Sequence, residues 1–232
     1  MKLTVIIPVY NEIEYIDILI NKVLQSKVDK QIIVVDDFSS DGTREKLMTN
    51  YKDKIHKLIF HEKNQGKGAA IKSAQKYIIG DFVIIQDADL EYDPKQYELF
   101  LKEFNNTGYQ VIYGSRVLNK DKYEKVQNFS HKVRIFGNML LTFISNKINN
   151  QNLTDAHTCY KMVKSDIFKS IKLEENDFAF CPELNTKLSN MGINIHEIPI
   201  NYQGRTYEQG KKIKSSDGLR AIKAIIKYKF FK

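Results

Sequence analysis

The sequence contains too little cysteine, proline and glycine for several classes of protein. Two cysteines in 232 residues exclude a disulfide-stabilised scaffold and are typical of a reducing compartment. Four prolines and eleven glycines exclude collagen-like and low-complexity chains. No apolar run reaches the roughly 20 residues of a membrane-spanning helix, and acidic residues follow the N-terminus too early for a signal peptide. We therefore expect a cytoplasmic protein without a transmembrane helix.

The net charge of +8 is concentrated in two parts of the chain. Residues 205–232 hold nine lysines and arginines against two acidic residues, and residues 116–136 hold six against two. The remainder is slightly acidic. Local basicity of this kind predicts surfaces that meet phosphate, nucleic acid or an anionic membrane, and a solvated face is the alternative.

Short apolar runs alternate with helical patterns through the first half of the chain. This alternation predicts an α/β fold with an open, mostly parallel sheet and helices on both faces. The predicted strands are Leu3–Val9, Gln31–Asp36, Lys57–His61, Asp81–Gln86 and Gln110–Tyr113, and the predicted helices are Glu14–Leu24, Thr43–Tyr51, Gly68–Ile79 and Pro94–Asn105.

Acidic residues follow three of the predicted strands, at the sheet edge where α/β proteins bind ligands. Glu12 follows the first strand, Asp36-Asp37 closes the second, and Asp87-Ala88-Asp89 follows the fourth. An Asp-x-Asp pair can hold one divalent cation whose other ligands are pyrophosphate oxygens. The alternative is a polar turn in which Asp93, before Pro94, caps a helix. Asp41 is likewise interpreted as a helix cap.

A glycine-containing segment, Asn64–Ala70, precedes the third predicted helix. Its backbone amides and the ammonium group of Lys67 can bind phosphate at the helix N-terminus. The segment lacks the Walker pattern, so an ordinary turn is the alternative.

Taken together, these segments resemble family 2 glycosyltransferases of the GT-A fold, in particular the branch of dolichyl-phosphate mannose synthase and polyprenyl-phosphate glycosyltransferases. The resemblance covers residues 3–220 and implies a Rossmann-like nucleotide-diphospho-sugar transferase domain. We expect residues 1–204 to form it and residues 205–232 to add a basic loop and an amphipathic helix. The matching motifs are Pro8-x-Tyr10-Asn11-Glu12, Asp36-Asp37-x-Ser39-x-Asp41-Gly42-Thr43, Asn64-x-Gly66-Lys67-Gly68, Gln86 to Pro94, Gly114-Ser115-Arg116, and Arg205 with Gln209 to Ile213.

The resemblance also implies a role for individual residues. Asp87, Asp89 and Glu91 would bind Mg²⁺ or Mn²⁺, and Asp89, Arg116 and Glu183 would be catalytic. Arg116, Lys132 and Arg134 would bind the acceptor. Residues that would bind the nucleotide sugar are Pro8, Tyr10, Glu12, Val35, Asp37, Lys67, Asp87, Ala88, Asp89, Arg205 and Lys211.

The implied reaction is inverting transfer of a sugar from GDP-mannose or a UDP-hexose to a polyprenyl phosphate. A phosphate acceptor with a second pKa of ~6 is already ionised at neutral pH and needs no general base. A lipid or glycan hydroxyl needs one, which Glu183 or Asp155 would provide. Glu183 can equally be a first-turn helix acid, and His157 is interpreted as structural. The segment Thr154–Lys161 departs from the mannose synthase pattern, which leaves the donor sugar open.

An anionic membrane surface is the expected partner of the basic segments. Cations precede a short apolar stretch in residues 132–144, and Arg220, Lys223 and Lys227 share one face of a predicted C-terminal helix. Both patterns are typical of helices that lie in a membrane interface, here the inner face, although packing on the core is the alternative. A nucleotidyltransferase would need a glycine-rich, arginine-containing loop after the first strand, and nucleic-acid binding would leave the acidic edge unexplained. The sequence leaves the oligomeric state open.

Overall fold

A computed structural model describes residues 1–119, 129–205 and 215–231, with side chains for 1–119, 135–205 and 217–231. In these residues seven strands form one sheet in the order β3-β2-β1-β4-β6-β5-β7. The strands are β1 (Leu3–Val9), β2 (Lys30–Asp36), β3 (Lys57–Phe60), β4 (Phe82–Ile85), β5 (Val111–Ser115), β6 (Lys161–Lys164) and β7 (Ile195–Pro199). The α-helices are α1 (Ile16–Gln25), α2 (Thr43–Asn50), α3 (Lys67–Gln75), α4 (Tyr97–Thr107), α5 (Phe129–Asn149), α6 (Ser165–Ser170), α7 (Phe180–Asn190) and α8 (Ser215–Phe230), and a 3₁₀ turn spans Pro94–Gln96.

The predicted fold class is confirmed. Strands β1 to β4 pair in parallel, β5 pairs in parallel with β7, and only β6 among the described strands runs antiparallel to its neighbours. All five predicted strands are present within one or two residues of their predicted ends. The short strands β6 and β7 were not predicted, because charged or polar residues interrupt their apolar pattern and tertiary pairing forms them.

The core lies on both faces of the sheet because the strands alternate their side chains between them. On β1, Leu3, Val5 and Ile7 pack with α1 and α4, whereas Ile6 belongs to the cluster on the other face. That second cluster includes apolar residues of α3, α6 and α7. Helices therefore cover both faces, which leaves the carboxyl ends of the parallel strands as the open edge.

The C-terminal helix α8 corrects one expectation from the sequence. Its Ile225 and Tyr228 are buried, and the helix packs against α5 and α7. Two of its basic side chains pair with acidic ones at 2.9 Å, Arg220 with Asp177 and Lys227 with Glu175. Part of the basic face that was predicted to contact a membrane therefore forms ion pairs within the protein. Within the described ranges, no helix combines the length and apolar character needed to cross a membrane.

Two predicted caps position the loops at the open edge. The Asp93 carboxylate accepts a hydrogen bond of 3.1 Å from the Lys95 amide at the start of the 3₁₀ turn. Asp41 accepts from the Thr43 amide, at the start of α2, and from the Ile13 amide, both at 3.0 Å. Asp41 therefore ties the loop after β1 to the loop after β2.

Candidate functional site

A cavity of about 710 Å³ opens at the carboxyl ends of the parallel strands. Its wall comes from the loops after β1, β2, β4 and β5, the start of α3, the segment before β6, the segment before α7 and the loop after β7. The lining residues are Pro8, Val9, Tyr10, Glu12, Asp37, Asn64, Gly66, Lys67, Ala70, Asp87, Ala88, Asp89, Glu91, Tyr92, Arg116, His157, Cys159, Phe178, Tyr202 and Arg205.

The residues that line the cavity adjoin five neighbouring strands, in the order β2-β1-β4-β6-β5. Four steps between neighbouring strands at about 4.8 Å each span about 19 Å of the sheet edge. An extended ligand can therefore place one end near β1 and β2, its middle at the carboxylates after β4, and its other end near β5 and β6.

At the β2 end, Asp37 organises the loop that leads into α3. Its carboxylate accepts hydrogen bonds from the amides of Gln65 at 2.9 Å and Gly66 at 2.7 Å. It also contacts Nδ1 of His61 at 2.7 Å, and Nε2 of that ring contacts Ser73 Oγ at 2.8 Å. Both carboxylate oxygens of Asp37 therefore form hydrogen bonds within the protein, and these bonds fix the backbone next to Lys67.

Gly66 occupies a position that only glycine fits. Its φ of +96° lies in the region that side chains with a Cβ avoid, and a Cβ there would lie 2.5 Å from the Asn176 carbonyl oxygen. We expect Gly66→Ala to lower the free energy of unfolding by about 1–3 kcal/mol, measured by urea denaturation.

Gly108 provides the matched control for Gly66. It also has a positive φ, of +68°, but no atom lies within 4 Å of a Cβ placed there. The alanine substitution at Gly108 should therefore be less destabilising. Equal losses of the free energy of unfolding in the two variants would show that the close contact with Asn176 does not destabilise Gly66→Ala.

In the middle of the cavity, basic side chains pair with the carboxylates that were predicted to bind metal. The Lys67 ammonium contacts the Asp87 carboxylate and lies 3.1 Å from Cys159 Sγ. Arg205 donates to both oxygens of Glu12, at 3.0 and 3.1 Å, and to Asp89 at 3.2 Å. The cavity centre therefore combines acidic and basic groups, as binding of a metal and a diphosphate requires.

Glu91, the third predicted metal ligand, is held by the loop after β7. Its carboxylate accepts from the Tyr202 hydroxyl at 2.7 Å and from the Arg205 amide at 2.6 Å. These bonds bring the Arg205 loop over the Asp-x-Asp motif.

The carboxylates repel one another strongly. Burial and the negative charges of Asp87 and Glu91 together raise the pKa of Asp89 to about 7. Burial alone would lower the pKa of Lys67, yet the neighbouring Asp87 carboxylate raises it well above its usual value. A divalent cation would relieve the repulsion at Asp89.

The carboxylates in the cavity fit a metal ion that takes only some of its ligands from the protein and the others from a substrate. Within the described residues, no three His, Cys, Asp or Glu side chains converge as a ready-made metal centre. Mg²⁺ characteristically takes one or two protein carboxylates and completes its coordination with water and substrate phosphates. Asp87 and Asp89 can supply those two carboxylates.

At the β5 end, Arg116 and Asp155 form a buried ion pair. The guanidinium group binds both carboxylate oxygens, at 2.7 and 2.8 Å, and Asn138 of α5 donates to the same carboxylate at 3.0 Å. Burial would raise the pKa of Asp155, but the Arg116 charge outweighs it and lowers the pKa to about 2. Asp155 is therefore a permanent anion that positions Arg116, and it is a poor general base.

Two of the residues that were predicted to belong to the site do not line the cavity. Glu183 is fully buried on α7, does not line the cavity, and accepts from the Glu174 and Glu175 amides at 2.7 and 2.9 Å. Its interpretation as a first-turn helix acid fits this position, and the prediction of a general base does not. Val35 is a buried core residue of β2.

The remaining predicted residues either line the cavity or fall outside the described part of the protein. Lys211 lies outside the described residues, and so do the side chains of Lys132 and Arg134 in α5. The predicted residues that line the cavity are Pro8, Tyr10, Glu12, Asp37, Lys67, Asp87, Ala88, Asp89, Glu91, Arg116 and Arg205.

Sequence reasoning missed several residues of the wall. His157 was interpreted as structural, yet it lines the cavity, as do Cys159, Tyr202 and Phe178. The departure of residues 154–161 from the mannose synthase pattern was the available signal for the first two. Tyr202 and Phe178 carry no motif, and only the folding of distant loops onto the sheet edge brings them there.

The chain matches a family model and several curated proteins. The model described as Glycosyl transferase family 2 matches residues 4–172. A dolichyl-phosphate beta-glucosyltransferase of Trichomonas vaginalis is 24% identical, over 99% of this chain and 73% of its own length. A dolichol-phosphate mannosyltransferase of Pyrococcus furiosus is 26% identical, over 98% and 64%. An undecaprenyl-phosphate mannosyltransferase of Micrococcus luteus is 23% identical, over 91% and 87%.

Solved structures show the same fold. Glucosyl-3-phosphoglycerate synthase of Mycobacterium tuberculosis, crystallised with Mn²⁺, UDP and glucosyl-3-phosphoglycerate, gives a TM-score of 0.69 at 14% identity, over 98% of this chain and 80% of that one. The same enzyme has been crystallised with Mg²⁺ and UDP. S. aureus TarS with UDP-GlcNAc gives a TM-score of 0.61 at 18% identity, over 100% of this chain and 68% of that one. Proteins of this fold are thus known with nucleotides, and one of them with divalent metals.

Proposed function

Because the chain belongs to glycosyl transferase family 2, we propose that it transfers a hexosyl group from GDP-mannose or a UDP-hexose to a polyprenyl phosphate, with inversion. One observation carries the choice of acceptor: neither carboxylate predicted as a general base can act as one. Asp155 is held as an anion by Arg116, and Glu183 is buried away from the cavity. The names of the three curated relatives, all polyprenyl-phosphate glycosyltransferases, support the same acceptor.

A phosphate acceptor fits a site without such a base. With a second pKa of ~6, the phosphate is largely a dianion at neutral pH. One of its oxygens attacks the anomeric carbon as the bond from that carbon to the diphosphate oxygen breaks, and the nucleoside diphosphate departs. In this scheme Arg116, positioned by Asp155, orients the acceptor phosphate.

The donor lies along the cavity in this proposal. Its nucleoside occupies the end near Pro8, Tyr10 and Asp37, its diphosphate the centre, and its sugar the end near β5 and β6. Lys67 and Arg205 stabilise the charge that grows on the departing diphosphate. Because Asp37 holds the Gly66 amide, it contributes by fixing the loop that presents Lys67.

We further propose that Mg²⁺ or Mn²⁺ binds at Asp87 and Asp89, with Glu91 adjacent. When bound, the cation supplies positive charge that neutralises the leaving diphosphate. The carboxylates of Asp87, Asp89 and Glu91 all line the cavity, and this concentration of negative charge is the observation that supports a cation there.

The test of the proposed function compares two acceptors that differ only in their head group. The protein is incubated with vesicles, Mg²⁺ or Mn²⁺ and a panel of radiolabelled sugar nucleotides. The acceptor is polyprenyl phosphate in one arm and the corresponding free polyprenol in the other. We expect label in the lipid fraction with polyprenyl phosphate only. Equal labelling of polyprenol would overturn the phosphate acceptor, and no labelling with any donor would overturn the proposed reaction.

The Glu183→Gln substitution separates the two acceptor classes within the protein. The new side-chain amide would place an N–H₂ group where carboxylate oxygens accept from two backbone amides, so the free energy of unfolding should fall by about 1–3 kcal/mol. Removal of a general base lowers turnover by roughly 10²–10⁴-fold, and the folded variant should not show a loss of that size. The measurements are urea denaturation and initial rates. A loss of that size with unchanged stability would restore Glu183 as the base.

An exposed apolar stripe on α5 supports contact with a membrane. Phe136, Met139, Leu140 and Phe143 follow the i, i+3, i+4, i+7 spacing of one helix face, and each is about half exposed or more, Phe136 at 68%. Asn138 on the same helix binds Asp155 beside the cavity. We propose that this apolar face of α5 rests in the inner surface of an anionic membrane, so that a lipid acceptor reaches Arg116 from it.

The apolar face of α5 gives a prediction about vesicle binding. The Phe136→Ser/Phe143→Ser double variant should bind anionic vesicles at least ~10-fold more weakly in a sedimentation assay, because each phenylalanine that enters lipid contributes about 1.5–3 kcal/mol. Ile79→Ser is the control, because Ile79 is 64% exposed but precedes β4 at the opposite edge of the sheet. Equal binding of both variants and the wild type would exclude this face as the membrane contact.

A further inference from the structure

One aromatic side chain in the cavity wall has no part in the mechanism derived so far. Phe178 lies in the segment before α7 and lines the cavity together with Lys67 and Asp87. Phe178 is half-buried, whereas its neighbour Phe180 is fully buried in the core. An aromatic ring that stays partly exposed in a binding cavity offers apolar surface that a ligand can cover.

The segment that carries Phe178 is fixed by hydrogen bonds on both sides of the ring. Before it, the Asn176 carbonyl accepts a hydrogen bond of 3.0 Å from the Ala69 amide in α3. At the start of α7, the Asp177 carboxylate accepts from the Ala179 amide at 2.8 Å. The backbone next to the ring is therefore held in place before a ligand binds, and such preorganisation lowers the entropy that binding costs.

The contacts of Lys67 show which part of the cavity the Phe178 ring borders. The Lys67 ammonium contacts the Asp87 carboxylate and lies 3.1 Å from Cys159 Sγ. The same ammonium lies 5.8 Å from the centroid of the Phe178 ring. Asp87 follows β4 and Cys159 precedes β6, which is the next strand of the sheet. The ring therefore borders the cavity where the Asp-x-Asp motif gives way to the β5 and β6 end.

A hexose is the ligand that fits both this position and this surface. With the diphosphate of the donor at the Asp-x-Asp motif, the next group toward β5 and β6 is the sugar. A pyranose ring presents C–H groups with a slight positive charge on its faces. The face of an aromatic ring carries negative charge density, so the two rings attract each other when they stack.

We propose that Phe178 binds the transferred hexose by stacking its ring against a C–H face of the sugar. This assignment rests on the proposed function, since it requires a nucleoside-diphosphate sugar in the cavity. It also gives the buried carboxylate of Glu183 a role, because Glu183 accepts from the Glu174 and Glu175 amides and so holds the segment that presents Phe178.

The test compares Phe178 variants on the intact donor and on its nucleoside diphosphate. With the best sugar nucleotide of the panel, Phe178→Ala should lower kcat/KM for the donor by about 10-fold, the size expected for one stacked ring. Binding of the nucleoside diphosphate alone, measured by calorimetry, should be unchanged, because the sugar is missing from that ligand. Circular dichroism checks that the variant is folded.

Further variants separate stacking from a structural role. Phe178→Tyr keeps the aromatic face and should keep kcat/KM close to that of the wild type. Phe178→Leu keeps a bulky apolar side chain without that face, so it should still lower kcat/KM, and it replaces Phe178→Ala as the test if that variant does not fold. Tyr109→Ala is the control and should match the wild type with both ligands, because Tyr109 stacks on His196 and does not line the cavity.

Three results would overturn the stacking role while leaving the proposed function intact. The first is weaker binding of the nucleoside diphosphate in Phe178→Ala, which would show that the ring supports Lys67 instead. The second is a loss confined to the KM for polyprenyl phosphate, which would place the ring at the acceptor. The third is Phe178→Leu with the kcat/KM of the wild type. If the wild type transfers no sugar from any donor, the proposed function itself fails, and the assignment of Phe178 fails with it.

Discussion

Replacing Asp89 with asparagine should lower turnover by at least ~100-fold, because the variant loses a charged ligand of the proposed cation, which would stabilise the leaving diphosphate. The fold should persist, since Asp89 lies at the cavity wall and supports no part of the core. Initial rates with saturating donor and metal measure the effect, and circular dichroism checks the fold.

The same substitution should change how stability depends on pH in metal-free buffer. The pKa of Asp89 is raised from 3.8 to about 7 in the folded protein, so the group contributes stability that is fully present below pH 3.8 and is lost as the pH rises to about 7. In Asp89→Asn this loss should be absent. Urea denaturation at several pH values measures the difference between the two proteins.

The control for Asp89 is Asp53→Asn, which makes the same chemical change in an exposed turn. It should leave turnover as in the wild type. Wild-type activity that is insensitive to chelators, or near-normal turnover in Asp89→Asn, would contradict the metal assignment.

Arg116→Gln should lower the free energy of unfolding by about 3–5 kcal/mol, because it leaves the fully buried carboxylate of Asp155 without its counter-charge. Such a loss is a large part of the about 5–15 kcal/mol that stabilises a typical domain. Urea denaturation at neutral pH measures it. Turnover should fall too, since Arg116 is the proposed ligand of the acceptor phosphate.

A second variant shows whether the lost stability comes from the unpaired charge. The Arg116→Gln/Asp155→Asn double variant removes both members of this ion pair, so stability should recover in large part. Activity should not recover, because the guanidinium group of Arg116, the proposed ligand of the acceptor phosphate, is still missing. A double variant as unstable as the single one would place the cost in lost packing of Arg116 instead.

The first half of the fold was predictable because the sequence patterns that determine it extend over only a few neighbouring residues. Apolar runs such as Leu3–Val9 form buried parallel strands, and the parallel arrangement brings Glu12, Asp37 and the Asp-x-Asp motif to one edge. A residue that directly follows a strand can hardly lie elsewhere. For this reason the site residues that adjoin β1, β2 and β4 were found from motif and spacing.

Partners that are distant along the chain were not predictable. Arg116 and Asp155 are 39 residues apart, and Arg205 and Glu12 are 193 apart. The sequence showed that Asp155 and Glu183 are acids, and this left both open as bases. Burial and hydrogen bonding, which arise only when the loops fold onto the sheet, turn the first into a permanent counter-ion and the second into a cap for a backbone turn.

The sequence by itself therefore determined the α/β class, the strands β1 to β5 and the acidic edge, because side-chain periodicity and strand-end motifs act over a few residues. Only the tertiary structure decided how the acidic edge is neutralised and which face of α5 is exposed. It alone also decided that α8 packs on the protein and that His157 stands in the cavity wall. The physical reason is that charge pairing, burial and pKa depend on neighbours that the chain supplies from distant positions.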